Sequence, residues 1–265
     1  MQVLLASPFV TIIFSYFLVS GFIPDPDPRY PDEDPKTTII SFLFSFFVLT
    51  GFSLCTGLFI LSPVADRQNN LRQMLNFIGM KPLAYYTGSF LADIVLFTLP
   101  TMGFIGLLFP MNIQYLYMNG SWAVFLAVMV SFGISLIAVT YLISFMFANA
   151  NSAFKSIGLV YFLLGCILPV AVGFVSLLFD RHMQAYRFFK YLFAVIPFQN
   201  FGEGMVFIMM QNVYKQIYKD YPEYYDRQMK DLREAILCDS IMAIWLNTVL
   251  GILYFTIAVI IDTKK

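Results

Sequence analysis

Side chains able to do chemistry are sparse in this sequence of 265 residues, and they lie far apart. His182 is the only histidine, so neither a histidine metal cage nor a histidine proton relay is expected. Cys55, Cys166 and Cys238 show no CxxC spacing. Cys55 and Cys166 sit inside apolar runs and read as packing residues, with no metal site and no disulfide framework. No G-x-x-x-x-G-K-[ST] stretch occurs, so no Walker A loop is present to hold ATP phosphates. Within the apolar runs there are no paired acids and no His/Ser constellation, which makes an intramembrane enzyme the weakest reading and leaves no catalytic site. One chemical residue stands out: Asp93, an acid about eight residues into an apolar run. At membrane depth a carboxylate costs about 2.5–3.5 kcal/mol on insertion scales and faces a partner or a cavity. It is either a substrate- or proton-linked site or a hydrogen-bond acceptor for a Ser, Thr or Tyr on a neighbouring helix. With no second intramembrane charge to form a relay, the hydrogen bond is favoured.

Composition sets what must position these residues. Hydrophobic residues make up 59% of the chain, aromatic 18% and charged only 12%, with a mean hydropathy of +0.75. Soluble domains carry roughly 25% charged residues. The composition excludes a soluble enzyme, a disordered chain and a small disulfide scaffold. Sixteen basic residues balance sixteen acidic ones, which argues against nucleic acid as a partner. Apolar runs long enough to cross a bilayer occur at about 3–23, 37–61, 85–109, 122–147, 156–178 and 241–261. They lack the alternation of barrel strands, so the fold expected is all-α: a multi-pass membrane protein of six helices forming one transmembrane domain over 1–265. The first run has no basic n-region and no A-x-A site, and reads as a span rather than a signal peptide.

The connections differ in kind. Residues 24–36 are rich in proline and acids, hence extended and solvated. Asn119-Gly120-Ser121 is a glycosylation sequon close to the membrane, and 148–155 reads as a short polar turn. Arg67, Arg72, Lys81, Lys155, Lys264 and Lys265 share one face, against Arg29 and Lys36 in the opposite short loops, which puts both termini in the cytoplasm. On that cytoplasmic face Asp66 can cap a helix that Gly79 and Pro82 end. Leu71, Met74, Leu75 and Ile78 recur at i, i+3, i+4, i+7, with Gln68, Asn69, Arg72, Gln73 and Asn76 opposite. This is an amphipathic helix at the membrane surface; by periodicity alone it simply joins two spans.

The long connection 179–240 divides in two. Residues 186–210 are apolar but interrupted by Pro197 and by Gly202-Glu203-Gly204, which fits two short helices dipping into the membrane and returning. A seventh span over 193–211 is the rival, and it would move the C-terminus to the other face. Residues 211–240 are polar, with Tyr214, Tyr218, Tyr221 and Tyr225 at helical spacing and i,i+4 charge pairs such as Asp226/Lys230. They read as a solvated surface helix, with a lipid-receiving lip as the sharper alternative.

Three stretches together resemble the transmembrane domains of subfamily A ABC transporters, the ABC-2 type. Residues 67–93 resemble the segment after the second span, where a charged stretch leads into L-x-x-x-L-x-x-x-G-[LM] and an aromatic pair. The matching residues are Leu71, Leu75, Gly79, Met80, Tyr85 and Tyr86, and Asp66-Arg67 keeps the acid–base order at the start. Ser144 to Leu163 is similar to the family's Phe, Ala/Asn-rich turn and renewed apolar helix. Ile196-Pro197-Phe198 with Gly202-Glu203-Gly204 resembles its Pro–aromatic–Gly signature before the last span. The resemblance covers about 37–210 and 241–262.

It implies that 66–80, through Asp66, Arg67, Leu71, Met74, Leu75, Ile78, Gly79 and Met80, is a coupling helix resting on a nucleotide-binding domain. It also implies a re-entrant exoplasmic pair carrying Pro197, Phe198, Gly202, Glu203 and Gly204. The partners implied are an ABC nucleotide-binding domain supplying ATP and Mg, a second transmembrane half, and membrane lipids or other amphiphiles as substrate. Because the sequence reaches only Asp262-Thr263-Lys264-Lys265 after the last run, it is expected to be a fragment of a longer product or a half that borrows its motor. The 13-residue linker after the first run replaces the large exoplasmic domain of many family members. A non-ABC channel subunit or scaffold is the alternative from another class.

Overall fold

The computed structural model describes residues 48–53, 56–108, 120–167, 191–219, 222–235 and 239–264. The expected span at 3–23, the 24–36 linker, Asn119, Cys55, Cys238, His182 and Tyr221 lie outside the described residues.

The described residues form helices joined by turns: α1 (Gly57–Gln68), α2 (Leu71–Phe77), α3 (Pro82–Leu108), α4 (Trp122–Ser144), α5 (Ala150–Phe162, continued by a π-helical turn Leu163–Ile167), α6 (Pro197–Ile217), α7 (Pro222–Ala235) and α8 (Ser240–Thr263). Among them, four stretches are long and apolar enough to cross a membrane: Val48–Gln68, Pro82–Gly106, Trp122–Ser144 and Ser240–Thr263. At 1.5 Å per residue helices of these lengths span about 32–38 Å, enough to cross a hydrocarbon core of about 30 Å. The second expected span therefore runs on past 61 to Gln68. The fifth begins at Ala150 rather than 156, because Asn149 caps it: its side chain accepts the Asn151 N–H at 2.9 Å. The expected polar turn at 148–155 shrinks accordingly.

The bundle is built around α4. Its widest interface is with α8, and α6, α1 and α3 cover the rest. α4 and α8 run parallel and approach closely at Gly251, where an added Cβ would lie 2.9 Å from Ile134 Cγ2 and 3.3 Å from the Ser135 backbone. Small residues at a crossing are what lets membrane helices pack, because lipid offers no hydrophobic drive between them. The core is aromatic. Phe132 stacks on Phe201 at 4.2 Å and 14°, and Phe52 meets Phe97, Phe104 and Phe201 at 5.6–6.2 Å. Outward, α3 shows Leu91, Val95 and Leu99 and α8 shows Trp245, Val249 and Ile252, a lipid-facing apolar surface.

Helix α6 has a different placement. Just before it, the Val195 carbonyl accepts from Tyr254 Oη at 2.6 Å, and Phe198 packs on Phe132 at 5.3 Å. Further on, Asn200 donates to Asn247 at 3.2 Å, Gly204 lies against Ala243 and Val128, and Asn212 donates to Ser121 at 3.0 Å. So α6 starts about half-way along α4 and α8 and runs antiparallel to them towards the end where both begin. Gly202 and Gly204 do not interrupt it, contrary to the sequence expectation. A Cβ on Gly202 would come within 2.9 Å of Leu49, and one on Gly204 within 3.0 Å of Ala243, so these glycines make room for neighbouring helices. The break falls instead at the turn over 194–196, with Pro197 at the first helical position.

Candidate functional site

A cluster of polar and charged residues lies at the end where α1, α4 and α8 finish and α2 lies. Asp66 and Arg67 do not open the short helix as expected; they close α1. Asn69 and Asn70 form the turn between, with Asn70 in the left-handed region at φ 57°. Asparagine tolerates that conformation better than most residues. α2 then spans only the seven residues Leu71–Phe77, and Gly79 at φ 91° ends the segment before Pro82 opens α3. Asp66 is not a cap: its Oδ2 accepts from Tyr85 Oη at 2.6 Å, tying the end of α1 to the start of α3.

Arg67 reaches the C-terminus of α4. Its Nη1 donates to Ser144 Oγ at 3.1 Å, its Nη2 donates to the Ser144 carbonyl, and the guanidinium lies 4.6 Å over the Phe145 ring. A cation at this position satisfies an otherwise open carbonyl and the negative end of the helix dipole. Beside it, the Ala150 N–H donates to Gln68 Oε1 at 2.9 Å, which joins α1 to the start of α5.

α2 turns one residue of its polar face into the bundle and leaves its apolar stripe outside. Leu71, Met74 and Ile78 of the apolar stripe are exposed, as are Phe77, Gly79 and Met80, and Leu75 is half-buried. The buried residue of α2 is Arg72, from the polar face. Its Nε donates to Asp262 Oδ2 at 2.8 Å, and its Nη2 lies 2.7 Å from the same oxygen. The two side chains are 5% and 6% exposed, and the guanidinium sits 5.0 Å over the Tyr85 ring. This is the only ion pair among the described residues, and it joins α2 to the end of α8 across 190 positions. Charge pairing explains why Arg72 is the residue that faces in. A buried guanidinium needs a carboxylate, and only the inward-facing side of α2 can reach Asp262. Periodicity could not have shown this, because Arg72 reads as a solvated residue and Asp262 as part of a tail.

Asp93 lies elsewhere, inside the bundle. It is 6% exposed, and Tyr141 Oη on α4 donates to its Oδ2 at 2.5 Å. This is the hydrogen bond to a neighbouring tyrosine that the sequence left as one of two options. The residues of the re-entrant motif sit on α6 in contact with the core: Phe198 meets Phe132 and Tyr161, and Glu203 Oε1 accepts from Gln199 Nε2 at 2.8 Å. Among the described residues no three His, Cys, Asp or Glu side chains come together in a way that could hold a metal ion.

Residues 23–260 match the family model described as ABC-2 family transporter protein. Among similar curated proteins is the human glucosylceramide transporter ABCA12, 21% identical over 217 residues, covering 79% of this chain and 8% of that protein. Another is the bovine retinal-specific phospholipid-transporting ATPase ABCA4, 20% identical over 229 residues, covering 85% of this chain and 10% of that protein. The ABC transporter A family member 5 of Dictyostelium discoideum is 28% identical over 132 residues, 49% of this chain and 8% of the relative. The chain spans about a tenth or less of the length of these relatives. The matches do not favour a non-ABC channel subunit or scaffold.

Proposed function

The chain belongs to the ABC-2 family of transporter proteins and is an integral membrane protein, and from that premise we propose that it forms one transmembrane half of an ATP-driven transporter of lipids or other amphiphiles. A nucleotide-binding domain would dock at the α2 end, bringing ATP and Mg, and a second transmembrane half would complete the pathway. The observation that carries this reading is the clasp of α2 to the last span. A push on α2 reaches the end of α8 through Arg72 and Asp262 and the end of α1 through its short turn, while Tyr85 links α1 to α3. Movement imposed at one place would be shared by several spans at once. The exposed apolar side of α2, with Met74, Phe77 and Ile78, is the surface offered to the docking domain or to the membrane interface.

In this reading six spans cross: the four long helices, the 3–23 run, and α5 with its continuation. The residues of 179–240 stay on the far side, with a re-entrant pair whose return limb is α6. That assignment is supported by α6 starting at mid-bundle and ending where α8 begins, a path that adds no crossing. The substrate class rests on relatives named for glucosylceramide and phospholipid transport. The test is Leu75→Asp in the reconstituted complex. We expect normal membrane insertion and nucleotide hydrolysis with loss of coupled lipid movement. Unchanged coupling ratios would count against α2 as the coupling element.

A further inference from the structure

We propose that the groove at the end of the bundle opposite α2 receives the phosphate-bearing headgroup of a membrane lipid, with Arg233 and Lys230 as its anion ligands. The inference deepens the lipid reading above and rests on it for the biological setting, although the groove itself is argued from its own geometry.

Two cavities meet there. One of about 320 Å³ lies between α6 and α7 and is lined by Gln211, Tyr225, Asp226, Met229, Lys230 and Arg233. The other, of about 200 Å³, lies between the starts of α4 and α8 and shares Gln211 and Arg233 with the first. Its remaining walls include the apolar Val124, Phe207, Ile208 and Ile241. Together they make a space with a polar head and an apolar throat, of the size that takes small ligands, roughly 300–1,000 Å³. Arg233 stands at the junction, and Lys230, three residues earlier on the same helix, lies on the same face.

Neither Lys230 nor Arg233 has an ion-pair partner among the described residues; the sequence-expected Asp226/Lys230 pair does not form. Asp239 already accepts the Met242 N–H at 2.7 Å as the cap of α8. An Arg and a Lys beside a glutamine amide and a tyrosine hydroxyl are a donor set for phosphate oxygens: a planar fork, a point charge and two neutral donors, with the Asp226 carboxylate on the same wall offsetting one of the two positive charges. α7 is held in place by Met229, only 6% exposed. Depth also fits. Trp122, Trp245 and Tyr224 around this end are 57%, 68% and 58% exposed, and exposed Trp and Tyr mark the headgroup level of a bilayer. A lipid lying there would have its phosphate at Arg233 and its first chain carbons along Val124 and Ile241.

The experiment uses the full chain in maltoside micelles and three probes measured by calorimetry: dihexanoyl phosphatidylglycerol, dihexanoylglycerol with the same chains and no phosphate, and inorganic phosphate. We expect phosphatidylglycerol to bind at least about tenfold more tightly than either of the others, because charge-assisted and apolar contacts act together. Lys230→Ala/Arg233→Ala should lose about tenfold or more of that affinity, with Arg233→Lys intermediate and the exposed Arg227→Ala on the same helix unchanged. Equal binding of the phosphate-free probe would overturn the proposal. So would inorganic phosphate matching the lipid, or a folded double variant with undiminished affinity. If the headgroup selectivity appears as expected while the reconstituted transporter moves no lipid, the groove stands and the transport reading fails.

Discussion

Replacing Asp262 with Ala tests the clasp most directly. The variant leaves the Arg72 guanidinium, 5% exposed, with no carboxylate and only the Tyr85 ring at 5.0 Å. At the observed 2.7 Å and an effective dielectric near 20, the pair's attraction is about 6 kcal/mol before desolvation. Desolvation of both ions offsets much of it, but removing one partner of a buried pair still costs about 3–5 kcal/mol. The damage should be local. α2 has seven residues, well below the roughly 12–15 at which an isolated helix becomes even marginal, so its shape depends on what it is tied to. Arg72 will leave its pocket for water and take α2 with it, while the α4–α8 interface stays closed. Hydrogen exchange of the amides over 71–78 should accelerate by about a hundredfold or more, a few kcal/mol of lost protection, with exchange in α4 unchanged. A double-mutant cycle completes the assay. Asp262→Ala and Arg72→Ala should each loosen α2, and the double variant should be no worse than the worse single, giving a coupling of about 2 kcal/mol or more. Additive effects with a coupling below about 0.5 kcal/mol would refute the reasoning, because that is the value of a solvated surface pair.

Other outcomes follow from the interior. Asp93→Asn should leave transport largely intact, since the amide oxygen still accepts from Tyr141, whereas Tyr141→Phe strands a buried acid and should cost about 1–3 kcal/mol in a thermal-stability assay; near-complete loss of transport by a well-folded Asp93→Asn would instead assign this acid to the transport path. Gly251→Ala should destabilise the α4–α8 crossing by about 1–3 kcal/mol, because the Ser135 backbone at 3.3 Å cannot give way. Gly88→Ala, with nothing within 4 Å, should be neutral or slightly stabilising. Accessibility of a C-terminal tag should report the same face as the 66–80 segment; labelling from the opposite face would establish a seventh crossing.

Much of this architecture was legible in residue order. The start of α4 at Trp122 and the whole of α8 follow from apolar length, because a bilayer imposes one simple requirement on every spanning segment. The break before Pro197 was legible for a similar reason, since proline has no N–H to donate and fits the first turn of a helix. The break expected at Gly202 to Gly204 was not a break, because a glycine needed for close packing and one needed for a turn look alike in a sequence. Asp66 likewise had the right type for a cap and the wrong neighbours: a tyrosine 19 positions away claims its carboxylate.

Amino-acid order alone determined that this is a helical membrane protein with few charges in its apolar runs, since composition and local period decide solvent and secondary structure. It also favoured, over a substrate- or proton-linked site, a hydroxyl on another helix as the partner of Asp93. Only the tertiary structure decided which hydroxyl, that α2 turns its apolar side outward, and that Arg72 finds Asp262. Those outcomes depend on which helix ends arrive together, and a buried charge selects its partner by distance in space, a quantity that spacing along the chain does not contain.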